Sequence, residues 1–137
     1  MYFMLLCAQR FIDSLKEKEI GFDLREGSDG DVLIRFMYDG KPTTYIFSGP
    51  DGCYVTMLTH FENVPAEKLA DMYAVCNSLN AHYKWLKFYV DKDNDLMIDD
   101  DAIVSEESAA DECFELLIRR FNIIKDAKPE IMRAIYC

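Results

Sequence analysis

The chain has 137 residues, half of them hydrophobic, and a net charge of −10 at pH 7. A chain this long buries roughly 68% of the surface it exposes when unfolded, so a core forms without metal or disulfide, and one domain over residues 1–137 is expected. The hydrophobic content excludes disorder. The acidic balance repels phosphate backbones and anionic lipid, so neither nucleic acid nor membrane is expected as a partner.

The first segment, "MYFMLLCAQRF", has no positive charge ahead of its short apolar run, which sets it apart from a secretory leader. Met4, Ala8, Phe11 and Leu15 fall at helical spacing beside Leu5 and Ile12, which predicts a helix from about Phe3 to Glu19, closed by Gly21 in left-handed geometry. Four strands are predicted next, Phe22–Glu26, Asp31–Tyr38, Thr43–Phe47 and Cys53–Phe61. The separators "GSDG", "DG" and "GPDG" supply the positive φ of tight turns, so the strands form an antiparallel meander.

Pro65 opens a second helix carrying Leu69, Met72, Tyr73, Cys76 and Leu79 and ending near His82. Trp85–Val90 reads as a strand with Leu86, Phe88 and Val90 on one face and Trp85, Lys87 and Tyr89 on the other; a further strand carries Leu96 and Ile98. Ser105 is placed to cap a third helix, with Glu106 and Glu107 in its first turn and Ala110, Cys113, Phe114, Leu117, Ile118, Phe121 and Ile124 on its apolar face. Pro129 opens a last short helix. The order α-ββββ-α-ββ-α gives an α+β fold, an antiparallel sheet with its helices packed mainly on one face.

The loudest chemical signal is "DKDNDLMIDDD", residues 91–101, in which six of eleven are aspartate. Read as a calcium loop from Asp91, it has Leu96 where the sharp turn requires glycine and Ala102 where a bidentate carboxylate is required. Its flanks are strands. A polar hairpin turn fits better, with Asn94 or Asp95 in left-handed geometry, and no calcium affinity tighter than about millimolar is expected. Asp99 and Asp101 on one face and Asp100 on the other point to an edge strand guarded by charge.

The five cysteines, Cys7, Cys53, Cys76, Cys113 and Cys137, are odd in number and widely spaced, as expected of reduced thiols in a cytoplasmic protein; the first four read as small core hydrophobes. His60 and His82 lack a ligand set, so no metal is expected. The chain has no nucleophile elbow, dinucleotide fingerprint or P-loop, and neither catalytic residues nor a cofactor is assigned. Trp85, Tyr89, Tyr83 and Tyr45 suit a core or an interface better than a ligand pocket.

The stretch "VCNSLNAHYKWLKFYVDKDNDLMIDDDAIV", with "DVLIRFMYDGKPTTYIFSG" upstream, resembles the YbjN-domain family: Asn77 and Asn80 at a helix end, then the strand at Lys87–Asp91, an acidic turn, and the strand at Leu96–Ile98 before a long helix. The likeness covers nearly the whole chain, with compositional motifs and no catalytic ones. It implies a bacterial protein with a fold similar to type III secretion chaperones, which are small acidic dimers that bind unfolded client segments. The front "LLCAQ" and a short segment after Lys128 depart from the pattern.

The resulting expectation is a non-enzymatic protein-binding module, a chaperone-like or regulatory adaptor, that forms a homodimer or holds a client through Trp85 and Tyr89. The alternative is a small-molecule binder or enzyme whose site is assembled from residues distant in sequence, in a deep pocket containing His60 or His82. A structural or regulatory role inside a larger complex is not separable from the first by sequence.

Overall fold

The structure, a computed structural model, describes residues 5–137. Its elements are α1 (Leu6–Glu17), β1 (Phe22–Glu26), β2 (Val32–Tyr38), β3 (Lys41–Ser48), β4 (Tyr54–Asn63), α2 (Leu69–His82), β5 (Lys87–Val90), β6 (Asp95–Ile103) and α3 (Ala109–Tyr136). The strands form one antiparallel sheet in the order β1-β2-β3-β4-β6-β5. This is the expected α+β architecture. Strand alternation sends Ile34, Tyr45, Phe47, Val55, Met57, Phe88, Leu96 and Ile98 to the core face, where the helices bury them.

The turns follow the predicted chemistry. Asp39 (φ 48°) and Gly40 (φ 74°) both take positive φ and join β2 to β3 through two residues, the geometry that matches strand twist. Gly52 is required for a second reason besides its φ of 70°: a Cβ there would stand 2.7 Å from the Cβ of Leu5. Asn94 takes left-handed geometry (φ 63°) in the acidic turn.

Helix α1 buries Cys7, Ala8, Phe11, Ile12 and Leu15. The expected beginning at Phe3, and the packing of Met4, lie outside the described residues. The helix ends earlier than expected, and Glu19, not Gly21, takes the left-handed position (φ 58°). The Glu19 N–H donates to Lys16 O (3.0 Å) and the Ile20 N–H to Leu15 O (2.9 Å), so the helix closes in a Schellman motif with a non-glycine at its strained position. Glu19→Gly is therefore expected to stabilise the fold by about 0.5–1 kcal/mol. Thermal melts followed by circular dichroism check this; an unchanged or lower midpoint contradicts it.

Four other expectations are corrected. The stripe of α2 buries Met72, Cys76 and Leu79 but leaves Tyr73 exposed. Helix α3 begins at Ala109 rather than after Ser105. The Ser105 hydroxyl is used in a turn, within 2.6 Å of the Ser108 hydroxyl and donating to Glu112 (3.0 Å), while the Ser105 N–H donates to the same carboxylate (3.1 Å). Ile118 is exposed on α3, although the apolar spacing placed it inward. Pro129 does not open a new helix: α3 runs through it for 28 residues. Pro129 and Lys125 both lie on the exposed side, so the carbonyl deprived of its N–H partner faces water.

Strand β6 is not an edge strand over most of its length. It lies between β4 and β5, and β5 forms the edge. Hairpin connectivity alone allows either strand to be outermost, and the aspartates gave the wrong one. Asp100 in fact points into the core, and Asp99 is half-buried beside Lys87 and Tyr89.

Candidate functional site

Beneath α3 lies a polar cluster in otherwise apolar surroundings. Asp100 shares the core face with Leu96 and Ile98, and Arg120 reaches it from α3. The guanidinium donates to the Asp100 carboxylate, to the Thr59 hydroxyl and to Ile98 O (3.1 Å); the Thr59 and Thr43 hydroxyls lie 3.4 Å apart. Arg120 Nε is buried without a partner. Nearby, the Tyr45 hydroxyl donates to Cys113 O (3.0 Å). The pair is sealed from solvent and ties α3 to the sheet.

Burial pushes the Asp100 carboxyl up to about 6, with Arg120 pulling against it. Since this folded value exceeds the unfolded one, the native chain takes up a proton between about pH 4 and 6 that the unfolded chain does not. The group's contribution is fully present below about pH 4 and is lost as pH rises through about 6. Urea titrations across this window should show the parent losing ground to Asp100→Asn as pH rises. The opposite slope would mean that Arg120 outweighs burial.

Two carboxylates of the acidic turn, Asp91 and Asp95, are engaged by its own backbone and neighbours. Asp91 Oδ1 accepts from the N–H groups of Asp93 (2.9 Å) and Asp95 (3.0 Å). Asp95 accepts from Asn63 Nδ2 (2.8 Å) and pairs with His60 Nε2 (2.9 Å), bonds that hold its carboxyl below the usual range. Among the described residues no three Asp, Glu, His or Cys side chains come together as a metal-binding group. His60 is thus an orienting partner for a turn, and His82 packs edge-on against Tyr83. Sequence spacing gave no sign that Cys7 and Cys53 would meet; their Sγ atoms are 3.2 Å apart, where α1 touches the start of β4. Burial and the neighbouring thiol push Cys7 up to about 12, so it is protonated and a poor nucleophile.

The predicted binding pair divides between two surfaces. Tyr89 lies on the helix-free face of the sheet, opposite Met97 in the β5–β6 ladder, with the Lys87 ammonium 5.3 Å from its ring centre. Trp85 precedes β5 and takes left-handed backbone geometry (φ 73°), which breaks the strand alternation that would have placed it beside Tyr89. Its ring instead meets α3, with Arg119 stacked over it at 5.6 Å, and stays 64% exposed.

There Trp85 forms one wall of an open groove of about 440 Å³. Ala102 and Ile103 of β6 form the floor and lip, and Glu112, Glu115, Leu116 and Arg119 of α3 the opposite wall. Ile103 is 81% exposed, and Ile118 adds apolar surface farther along the exposed side of α3. The polar groups of the groove are few and engaged: Arg119 is bonded to Glu115 (2.8 Å), and Glu112 accepts from Ser108 (2.6 Å).

A model of the YbjN family, described as "Putative bacterial sensory transduction regulator", matches residues 8–127. No curated protein matches the chain in sequence. Among solved structures, the fold is similar to that of YbjN, "a putative transcription regulator from E. coli", with a TM-score of 0.54 and 15% identity over 93% of this chain and 87% of that one.

Proposed function

The chain belongs to the YbjN family, and we propose that it acts as a non-enzymatic protein-binding module, a regulatory adaptor of the bacterial cytoplasm. The observation that carries this reading is the exposed apolar groove around Trp85 and Ile103. A Trp and an Ile so placed resemble the anchors of protein contacts more than the lining of a catalytic cleft. The family description as a regulator points the same way. A chaperone-like role is a narrower form of the same reading, with a client's apolar segment as the bound protein. No helix among the described residues is long and apolar enough to cross a membrane.

The volume of the groove favours a second reading, since it lies within the usual range of small-molecule sites, about 300–1,000 Å³. Against it, the groove is open along its length and its polar groups are already paired. Affinity capture from a bacterial lysate, comparing the parent with a Trp85→Ala/Ile103→Asp variant, separates the two. Proteins retained by the parent and lost by the variant support the adaptor. A small molecule carried through native mass spectrometry by the parent, with no protein retained, overturns it.

A further inference from the structure

The lip of the groove is also an unpaired sheet edge. In β6 the Val104 N–H donates to Cys53 O on the β4 side, whereas Asp95 O accepts from the Asp91 N–H on the β5 side. Backbone groups alternate along a strand, so the odd-numbered residues of β6 point away from β4. Met97 and Asp99 are opposed there by Tyr89 and Lys87 of β5. But β5 begins at Lys87, because the left-handed turn at Trp85 carries the chain off the sheet, while β6 continues along β4 to Ile103. Asp101 and Ile103 therefore present N–H and C=O groups to a side with no strand. The outer edge of β5 is treated differently: the Asn80 side chain of α2 accepts from the Phe88 N–H (2.7 Å) and donates to its carbonyl (3.0 Å), filling the place of a further strand. At the far side of the sheet, β1 is guarded by Asp23, Arg25 and Glu26. At Asp101–Ile103 the bare edge adjoins the apolar groove of Trp85 and Leu116.

We propose that this bare edge of β6 receives an extended, basic segment of a partner protein as an added strand, one apolar side chain of which enters the groove between Trp85 and Leu116. The proposal rests on the adaptor reading and names the kind of segment bound. Strand addition supplies affinity through main-chain bonds and specificity through alternate side chains. The basic character follows from the rim, where Asp101, Glu112 and Glu115 carry negative charge and the lining cation Arg119 is held by Glu115 and Trp85. The same acidity disfavours a second copy of this chain, whose edge would bring Asp101, Glu112 and Glu115 against their twins in a molecule of net charge −10.

Trp85 is the chain's single tryptophan, so its fluorescence reports on the groove directly. The probes are a ten-residue peptide alternating valine with lysine and its counterpart alternating valine with glutamate. The lysine peptide is expected to give a saturable change with Kd below about 1 mM, and the glutamate peptide to bind at least about tenfold more weakly. Ile103→Pro removes one outward N–H without touching the β4 ladder and should weaken binding at least about tenfold. Should that variant fail to fold, Trp85→Ala, followed by calorimetry, removes the groove wall and should weaken binding by a similar factor. Equal binding of both peptides, or unchanged binding by the variants, overturns the edge site. So does sedimentation showing a dimer that Ile103→Pro dissociates. A partner captured from lysate whose crosslinks lie away from β6 also overturns the edge site while leaving the adaptor reading intact.

Discussion

Replacing Arg120 by alanine is expected to cost about 3–5 kcal/mol, enough to lower the thermal midpoint by roughly 10–20 °C. The loss has two sources. Asp100, Thr59 and Ile98 O lose their buried donor, and the site is too enclosed for water to replace it freely. The removed side chain is also among the largest fully buried ones in the chain, so a cavity remains beneath α3. The double variant Arg120→Met/Asp100→Leu removes both charges together and should recover most of the stability, because a buried pair is costly to break and inexpensive to replace by apolar groups of similar volume. Denaturant titrations of the single and double variants decide the matter. A single variant that loses less than about 1 kcal/mol would place the pair in contact with water.

Phe11→Ala is expected to be comparably damaging, at about 3–5 kcal/mol. Phe11 is fully buried and lies stacked on Tyr45 at 4.7 Å, with Phe114 at 5.3 Å and Phe36 and Phe47 at 5.8 Å. One ring therefore joins α1 to two central strands and to α3. Far-UV circular dichroism during urea unfolding checks the effect. A shift under about 1 kcal/mol would mean that α1 contributes little to the core.

The helix-and-strand order was legible because it is written in local chemistry. Asp39-Gly40 and the other glycine turns could only join antiparallel neighbours, and the spacing of Ala8, Phe11 and Leu15 admitted one period. The order of the last two strands was not local in this sense: a hairpin turn at Asp91–Asp95 is the same whichever strand lies outside. The left-handed backbone of Trp85 was equally hidden, since nothing in a bulky aromatic announces positive φ, and it undid the assumption that Trp85 and Tyr89 share a face. Arg120 left a readable trace. Cys113, Leu117, Arg120, Ile124, Ala127 and Ile131 follow alternating spacings of four and three, so the arginine occupies a core position of α3, and Asp100 shares parity with Leu96 and Ile98. Two opposite charges at two inward positions are a pair that spacing could have found. The continuation of α3 through Pro129 depended on which side of the helix the proline faced, a property of the assembled fold.

A partner strand can add to β6 only if the end of that strand is bare in the free protein. Amide hydrogen exchange read residue by residue by NMR, on a dilute sample, addresses it directly. The N–H groups of Met97 and Asp99, opposed by β5, should be strongly protected, while those of Asp101 and Ile103 should exchange near the rate of an unstructured chain and slow when the lysine–valine peptide is added. Strong protection of Asp101 and Ile103 in the free chain would contradict strand addition at β6, because the edge assigned to a partner would already be covered.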